Sequence, residues 1–237
     1  AVATIALHEA EDPSRYGVAE LAKNNLIKRF IEKPPKETAP SNLINAGVYV
    51  LSPKIFDCIP AGRAVSMERE IFPKLAEKEA LYGHKVNGLW IDIGKPEEYM
   101  QTNKILLDTL TEKQKQPRTS KFELKNPVAI DKGVTIGENS VIGPYAVLGK
   151  NVSIGRNVQI RDSVIFPEAK IDDFASISGA LIGEGVVIGK KAKIGEGCII
   201  GDQAKIKDGI SLTEKTSVCP AKEVSEDTLK LKCRNIC

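Results

Sequence analysis

The sequence predicts a mixed α/β segment over residues 1–110, a linker over 111–126, a parallel β-solenoid over 127–212 and a tail over 213–237. Three observations carry this reading. Aliphatic residues recur at 130, 136, 142, 148, 154, 160, 165, 171, 177, 182, 188, 194, 200 and 206, in steps of six apart from two of five. Neither the helical period of about 3.6 nor the strand period of about 2 produces that spacing. Many of these residues are followed directly by glycine (137, 143, 149, 155, 183, 189, 195, 201), which is expected to turn corners at positive φ. Four positions after most of them stands a small or β-branched residue such as Val152, Ala169 or Ala192, placed to pack near the corner while the large one fills the interior. At three hexads per coil the pattern implies four to five coils, a column about 20 Å tall at roughly 4.8 Å per strand.

The pattern resembles the left-handed parallel β-helix of the hexapeptide-repeat proteins, and the left hand is what that resemblance implies, against the usual right-handed crossover. Many acyltransferases are built on that solenoid and use a histidine as general base. Here His8 and His84 both precede the repeats, so acyl transfer has no base on the solenoid. An assembly or regulatory appendage is the expected role.

Composition narrows the class further. With 42% hydrophobic and 27% charged residues and a formal charge of +3, the chain reads as globular and gives no electrostatic case for nucleic acid. Its local basic excess (Lys113, Lys115, Arg118, Lys121 and Lys125 against Glu112 and Glu123) falls in the linker, where a solvated charge run is the default. No run approaches the ~18 apolar residues of a membrane span and no signal segment opens the sequence, so a cytoplasmic protein is expected. Cysteines 58, 198, 219, 233 and 237 lack CxxC spacing and nearby histidines. They read as free thiols, Cys198 at a packing position of a repeat.

In the first half, AVATIAL, LIKRFIEKP, INAGVYVL and LWIDIG read as strands, INAGVYVL as a continuously buried one. Residues 66–78 read as a helix with Ser66 as N-cap and Glu68 and Glu70 in its first turn. Arg69 three residues after the cap excludes a capping box, and Pro73 predicts a break or kink. A second helix begins at KPEEY, with Tyr99, Ile105, Leu106 and Leu110 near one face.

The blocks EDPSRYGV (11–18), RFIEKP (29–34), NLINAGVYVLSP (42–53), SMEREIFPKLA (66–76) and GLWIDIGKPEEY (88–99) stand in one order ahead of the solenoid. In this the chain resembles the sugar-1-phosphate nucleotidylyltransferases, most closely the mannose-1-phosphate guanylyltransferases. The SMEREIFPKLA block and the CPAKEVSED tail favour these over thymidylyl or uridylyl enzymes acting on glucose 1-phosphate. The resemblance implies that residues 1–110 are the C-terminal, sugar-phosphate-binding part of a Rossmann-like nucleotidyltransferase domain. The family's glycine-rich phosphate loop, the lysine-proline motif after it and an upstream metal-binding aspartate have no counterpart here. A piece of a longer enzyme, inactive alone, is therefore expected.

That family joins a sugar 1-phosphate to a nucleoside triphosphate, releasing pyrophosphate and forming a nucleotide sugar, GDP-mannose in the closest group. Two polyanions must be aligned, so cations and rigid positioning count for more than a proton shuttle. The resemblance makes Lys33 the catalytic residue that holds the sugar phosphate. It makes Glu32 and Asn45 partners of the sugar hydroxyls, Gly17 a bare position for close approach to the ring, and Asp92 a ligand for Mg²⁺. Trp90 reads as a core or pocket wall. A homo-oligomer through the β-helix is expected, and the rival reading is a non-catalytic regulatory or assembly subunit, against which the retained Glu32, Lys33 and Asp92 argue.

Overall fold

A computed structural model describes residues 1–111, 121–227 and 235–237. It divides into two compact units, Ala1–Trp90 and Ile91–Cys237.

The first unit is a five-stranded sheet of β1 (Ala3–Glu9), β2 (Gly17–Leu21), β3 (Ile27–Glu32), β4 (Leu43–Leu51) and β5 (Leu81–Lys85), in the order β3-β2-β4-β1-β5. Only β1 and β5 run parallel. Alternation in β1 sends Ala3, Ile5 and Leu7 into the core, where they meet Ile27, Phe30, Leu75 and Leu81. A π-helical turn, Met67–Ile71, runs into helix α1 (Phe72–Glu77), and Phe72 meets Phe30 and Tyr49 edge-on.

The change of helix type falls where Pro73 predicts a break. Proline has no N–H to give, and the Phe72 N–H bonds Met67 O five residues back. Ser66 is the N-cap, its Oγ accepting from the Arg69 N–H at 3.2 Å. A reciprocal cap exists after all, made one residue later than the usual spacing: Glu70 Oε1 accepts the Ser66 N–H at 3.3 Å. The extra residue of the π turn brings Glu70 to that place.

Two strand expectations fail. LWIDIG pairs with no strand, and Leu89 (60%) and Ile93 (51%) stand exposed. In β4 only Leu43 and Ile44 are buried, while Val48 and Val50 are 63% and 74% exposed. A continuous apolar run says nothing about whether both faces of a strand are covered.

The second unit is the parallel β-solenoid, consistent with the left-handed β-helix. Among the described residues its three sheets hold seven, six and six strands, so just over six coils stack into a column of about 30 Å. It is taller than four to five coils because its strands begin at Glu123–Leu124 and continue through Ser211–Leu212, Ser217–Val218, Glu223–Val224 and Asn235–Ile236. Leu124, Leu212, Val218 and Val224 keep the six-residue step inside stretches read as linker and tail, with Leu or Val replacing Ile. The rest of that linker and tail, 112–120 and 228–234, lies outside the described residues, Cys233 included. Ile130, on the end strand of its sheet, is 41% exposed, while its neighbour Val128 is buried.

The corner glycines act differently from expectation. Apart from Gly143, which follows Ile142 directly and has φ 96°, positive φ falls between 47° and 78° at the corner residues from Gly133 to Ala221, among them Asn139, Asn151, Asn157 and Gly197. These come later in the hexad than the glycine that follows the core aliphatic. That earlier glycine is required by coil-to-coil approach. A Cβ on Gly137 would lie 2.4 Å from Gly155 C, and one on Gly189 would lie 2.6 Å from Asp208 N. Aspartates tie the same corners together: Asp173, Asp202 and Asp208 each accept a backbone N–H from the coil before, of Arg156, Glu184 and Lys190, all at 2.8 Å.

Helix α2 (Pro96–Thr111) belongs to this compact unit. Its buried side chains are Thr102 and Leu107, whereas Leu106 is 45% exposed. The reason lies in the outward residues of one sheet. Ala129, Val147, Val164, Leu181 and Ile199 share its register, while the other sheets present Thr135, Ser153 and Lys170, or Gln159, Ser176 and Lys193. The apolar sheet receives α2, which lies against strand Val128–Ile130. Asp108 accepts from Tyr145 Oη at 3.0 Å, and Lys104 pairs with Asp162 of the next coil at 2.8 Å. A helix rises about 6 Å in four residues and coils stack about 4.8 Å apart, so the two ladders stay nearly in step.

Five free thiols were expected, and the structure pairs Cys219 with Cys237. Strand Asn235–Ile236 aligns on Ser217–Val218, which sets the two cysteines side by side with Cα atoms 4.8 Å apart. Sequence spacing gives no sign of this. Cys58 and Cys198 are free, and Cys198 is buried at its repeat position as expected. Burial pushes its thiol pKa up.

Candidate functional site

Four of the predicted site residues meet at one end of the five-stranded sheet. β2 begins at Gly17 and β3 ends at Glu32, and the antiparallel register places these two opposite each other. Val18 pairs with Ile44, which brings Asn45 of β4 to the same end. Lys33 follows Glu32 directly, its backbone N–H bonded to Tyr16 O at 2.9 Å.

Lys33 has a left-handed backbone, φ 49°, and precedes Pro34. A non-glycine residue disfavours that region, and a following proline pushes it further toward extended conformations. Strain of this kind persists only where the surroundings hold it in place, and it clusters at functional sites. Here the bond to Tyr16 O holds the backbone while the side chain stays exposed, free to reach an anion.

Gly17 is a buried strand residue, and the space above it is occupied. A Cβ there would lie 2.4 Å from Phe30 Cζ and 2.9 Å from Glu32 Oε2. The bare position lets the Glu32 carboxylate lie over the β2 backbone.

Asn45 enters an internal chain. Its Oδ1 accepts the Gly47 N–H at 2.9 Å, and its Nδ2 donates to Tyr49 Oη at 2.8 Å. Tyr49 in turn donates to Glu68 Oε1 at 3.2 Å, and Ser66 Oγ donates to Glu68 Oε2 at 3.0 Å. Burial, then the charges of Glu68 and Glu32, raise the Tyr49 pKa. The chain spans a break in the register of β4, where Ile5 faces Tyr49 but Leu7 faces Asn45. Gly47 turns the extra residues at φ 77°.

Trp90 closes that bulge from the other side, donating its indole N–H to Ala46 O at 3.1 Å, stacked on His8 and edge-on to Tyr16. It is therefore a pocket wall, beside a groove of about 290 Å³ that His8, Asp12, Arg15 and Tyr16 also line. Tyr16 and Tyr49 were not singled out from the sequence, and Glu68 was read only as a first-turn charge of its helix. Their contributions run through a backbone carbonyl and through hydrogen bonds across strands, which no linear spacing encodes.

Asp92 belongs to the second unit and is exposed on a segment without strand pairing. It does not cap α2. Glu98 does, accepting the Gly94 N–H at 3.0 Å. Among the described residues no cluster of three His, Cys, Asp or Glu side chains could hold a metal ion. The residues present therefore do not fit a complete Mg²⁺ site, because a hard cation wants several oxygen ligands and Asp92 offers one carboxylate. Both histidines lie in the sheet, on β1 and β5, and not on the solenoid.

Residues 1–109 match the nucleotidyl transferase family and residues 124–233 the GMPPB C-terminal domain. The chain thus carries a nucleotidyl transferase segment followed by a GMPPB C-terminal domain. It is 38% identical over 81% of its length to the probable mannose-1-phosphate guanylyltransferase 3 of Arabidopsis thaliana, covering 58% of that protein. It is 40% identical over 81% of its length to the mannose-1-phosphate guanyltransferase of Pichia angusta, covering 53%. Over 57% of the chain it is 36% identical to the mannose-1-phosphate guanylyltransferase catalytic subunit beta of Drosophila melanogaster, covering 36%. The chain thus spans about half the length of the curated relatives it matches. No helix among the described residues is long and apolar enough to cross a membrane.

Proposed function

We propose that this nucleotidyltransferase chain supplies the sugar-phosphate end of a mannose-1-phosphate guanylyltransferase. In that reaction a phosphate oxygen of mannose 1-phosphate attacks the α-phosphorus of GTP, and the bond to the leaving pyrophosphate breaks. Lys33 holds the sugar phosphate as a compact point charge. Glu32, acceptor-only when ionised, and Asn45, donor and acceptor, take the sugar hydroxyls. Gly17 keeps the floor of the site at backbone level.

The observation that carries this reading is the convergence of Gly17, Glu32, Lys33 and Asn45 at one sheet end, with Lys33 held at φ 49°. Asp92 is the proposed single carboxylate ligand to Mg²⁺, and one carboxylate implies weak metal binding by the chain itself. A homo-oligomer through the solenoid and a cytoplasmic setting belong to the same reading. Light scattering that found a monomer at micromolar concentration would contradict the oligomer.

Calorimetric titration of the chain with mannose 1-phosphate tests the site. Binding that Lys33→Ala weakens about tenfold or more supports it, in line with the cost of removing a charged hydrogen-bond partner. Equal affinity in the variant, or no binding by the unaltered chain, would sink it.

A further inference from the structure

We propose that Glu68 is a positioning residue: acting through Tyr49, its carboxylate sets which way round the Asn45 carboxamide faces the candidate sugar-phosphate site. The inference rests on the reading of Asn45 as a substrate contact.

The argument follows from what each group can donate. An ionised carboxylate only accepts, so at 3.2 Å Tyr49 must donate its hydroxyl proton to Glu68 Oε1. The phenolic oxygen is then left with lone pairs on its other side. A group 2.8 Å away on that side has to be a donor, which makes it the Asn45 NH₂. The Gly47 N–H, itself donor-only, meets the carboxamide oxygen at 2.9 Å, so the Tyr49 contact and this one select the same orientation together. Oxygen and nitrogen of an amide have nearly the same shape, so packing alone would not choose between them.

Glu68 is itself fixed from the opposite side. Ser66 Oγ donates to its second oxygen at 3.0 Å and accepts the Arg69 N–H, tying the carboxylate to the helix N-terminus. Tyr49 is half-buried beside two carboxylates, and its raised pKa keeps the hydroxyl protonated and able to donate.

The consequence lies at the Asn45 groups left over. One amide hydrogen and one lone pair of Oδ1 are not used by the chain of bonds, and both have fixed directions. A reversed carboxamide would offer a donor where a ligand hydroxyl needs an acceptor. Glu68, which stands two residues away from Asn45 in this relay, would thus control which hydroxyl pattern the site accepts.

The test is calorimetry of the full chain with mannose 1-phosphate. Glu68→Ala and Tyr49→Phe are expected to weaken binding about tenfold. Glu68→Gln should recover most of the loss, because its carbonyl can still accept from Tyr49. In an Asn45→Ala background, Glu68→Ala should have no further effect, as expected of two residues acting through one contact. A further tenfold loss in that background overturns the proposal. Tyr49→Phe keeps the ring against Phe72, so it guards against a variant that merely fails to fold.

A second readout needs no ligand. In the ¹⁵N spectrum the two Asn45 side-chain amide protons should be resolved and slow to exchange, and should become fast in Glu68→Ala. If they do not change, Glu68 does not position Asn45, whatever the chain binds. If they change while the unaltered chain binds no mannose 1-phosphate, the positioning stands and the proposed function fails.

Discussion

Replacing Lys33 by glycine separates the two things that residue does. Lys33 sits at φ 49° immediately before Pro34, and a non-glycine residue in such a region costs about 1–3 kcal/mol. Glycine adopts the conformation without that penalty but has more freedom to lose on folding, roughly 0.5–1 kcal/mol. The Tyr16 O bond uses the backbone N–H, which glycine keeps. The net expectation is a first unit stabilised by about 1 kcal/mol and a site that has lost its phosphate cation. For a unit of this size that is a rise in melting temperature of about 4–8 °C. Trp90, the sole tryptophan, lies at this sheet end and reports unfolding of the first unit by fluorescence. Binding is followed in parallel by calorimetry with mannose 1-phosphate. Lower stability in Lys33→Gly would show that the side chain serves the fold, and the inference from strain to function would be wrong.

Within the solenoid, Gly189→Ala forces a Cβ to within 2.6 Å of backbone that cannot move aside, so a loss of about 1–3 kcal/mol is expected in a circular-dichroism melt. Leu107→Ala removes a buried anchor of α2 and should cost about 2–5 kcal/mol, read by protease sensitivity of that helix. Backbone and side-chain bonds from Arg156 hold the Asp173 carboxyl below its usual range. Its folded pKa is depressed, so its contribution is present above the unfolded carboxylate value and lost as pH falls through the folded one. Asp173→Asn should therefore flatten the acid limb of the stability curve below the ordinary carboxylate value of 3.8. Burial raises the Cys198 thiol pKa, so thiol labelling at pH 8 should find Cys58 reactive and Cys198 silent until denaturant is added. Mass mapping should recover Cys219 linked to Cys237, and two reactive thiols at those positions in the freshly isolated protein would contradict the pairing.

The periodic part of the fold was legible because its physics is local and repeated. Each hexad has one large aliphatic inside, most have a small residue near the corner, and eight of the fourteen have a bare glycine where coils approach, and sequence displays all three. Even there the glycine was misread. Its position in the hexad suggested a turn, while the requirement comes from the next coil, about eighteen residues away. The coil count fell short because Leu124, Leu212, Val218 and Val224 carry the step outside the stretch where isoleucine marks it. The stripe of Ala129, Val147, Val164, Leu181 and Ile199 was also present to be read. It becomes visible only when every third hexad is lined up, which requires knowing that three make a coil.

At the candidate site, sequence by itself determined the residue types and their order: a bare glycine after a tyrosine, a lysine after a glutamate, an asparagine two residues before a glycine. These depend on which side chain can hold a phosphate or a hydroxyl, and that chemistry belongs to single residues. Only the tertiary structure decided that β2, β3 and β4 bring them to one end, that Lys33 stands at φ 49° with its N–H on Tyr16 O, and that Asn45, Tyr49 and Glu68 form one chain of hydrogen bonds. Likewise it decided that LWIDIG finds no partner strand and that Cys219 meets Cys237. Each of these is a relation between groups far apart in the chain. Strand register, hydrogen-bond polarity and coil stacking settle such relations only once the chain is folded.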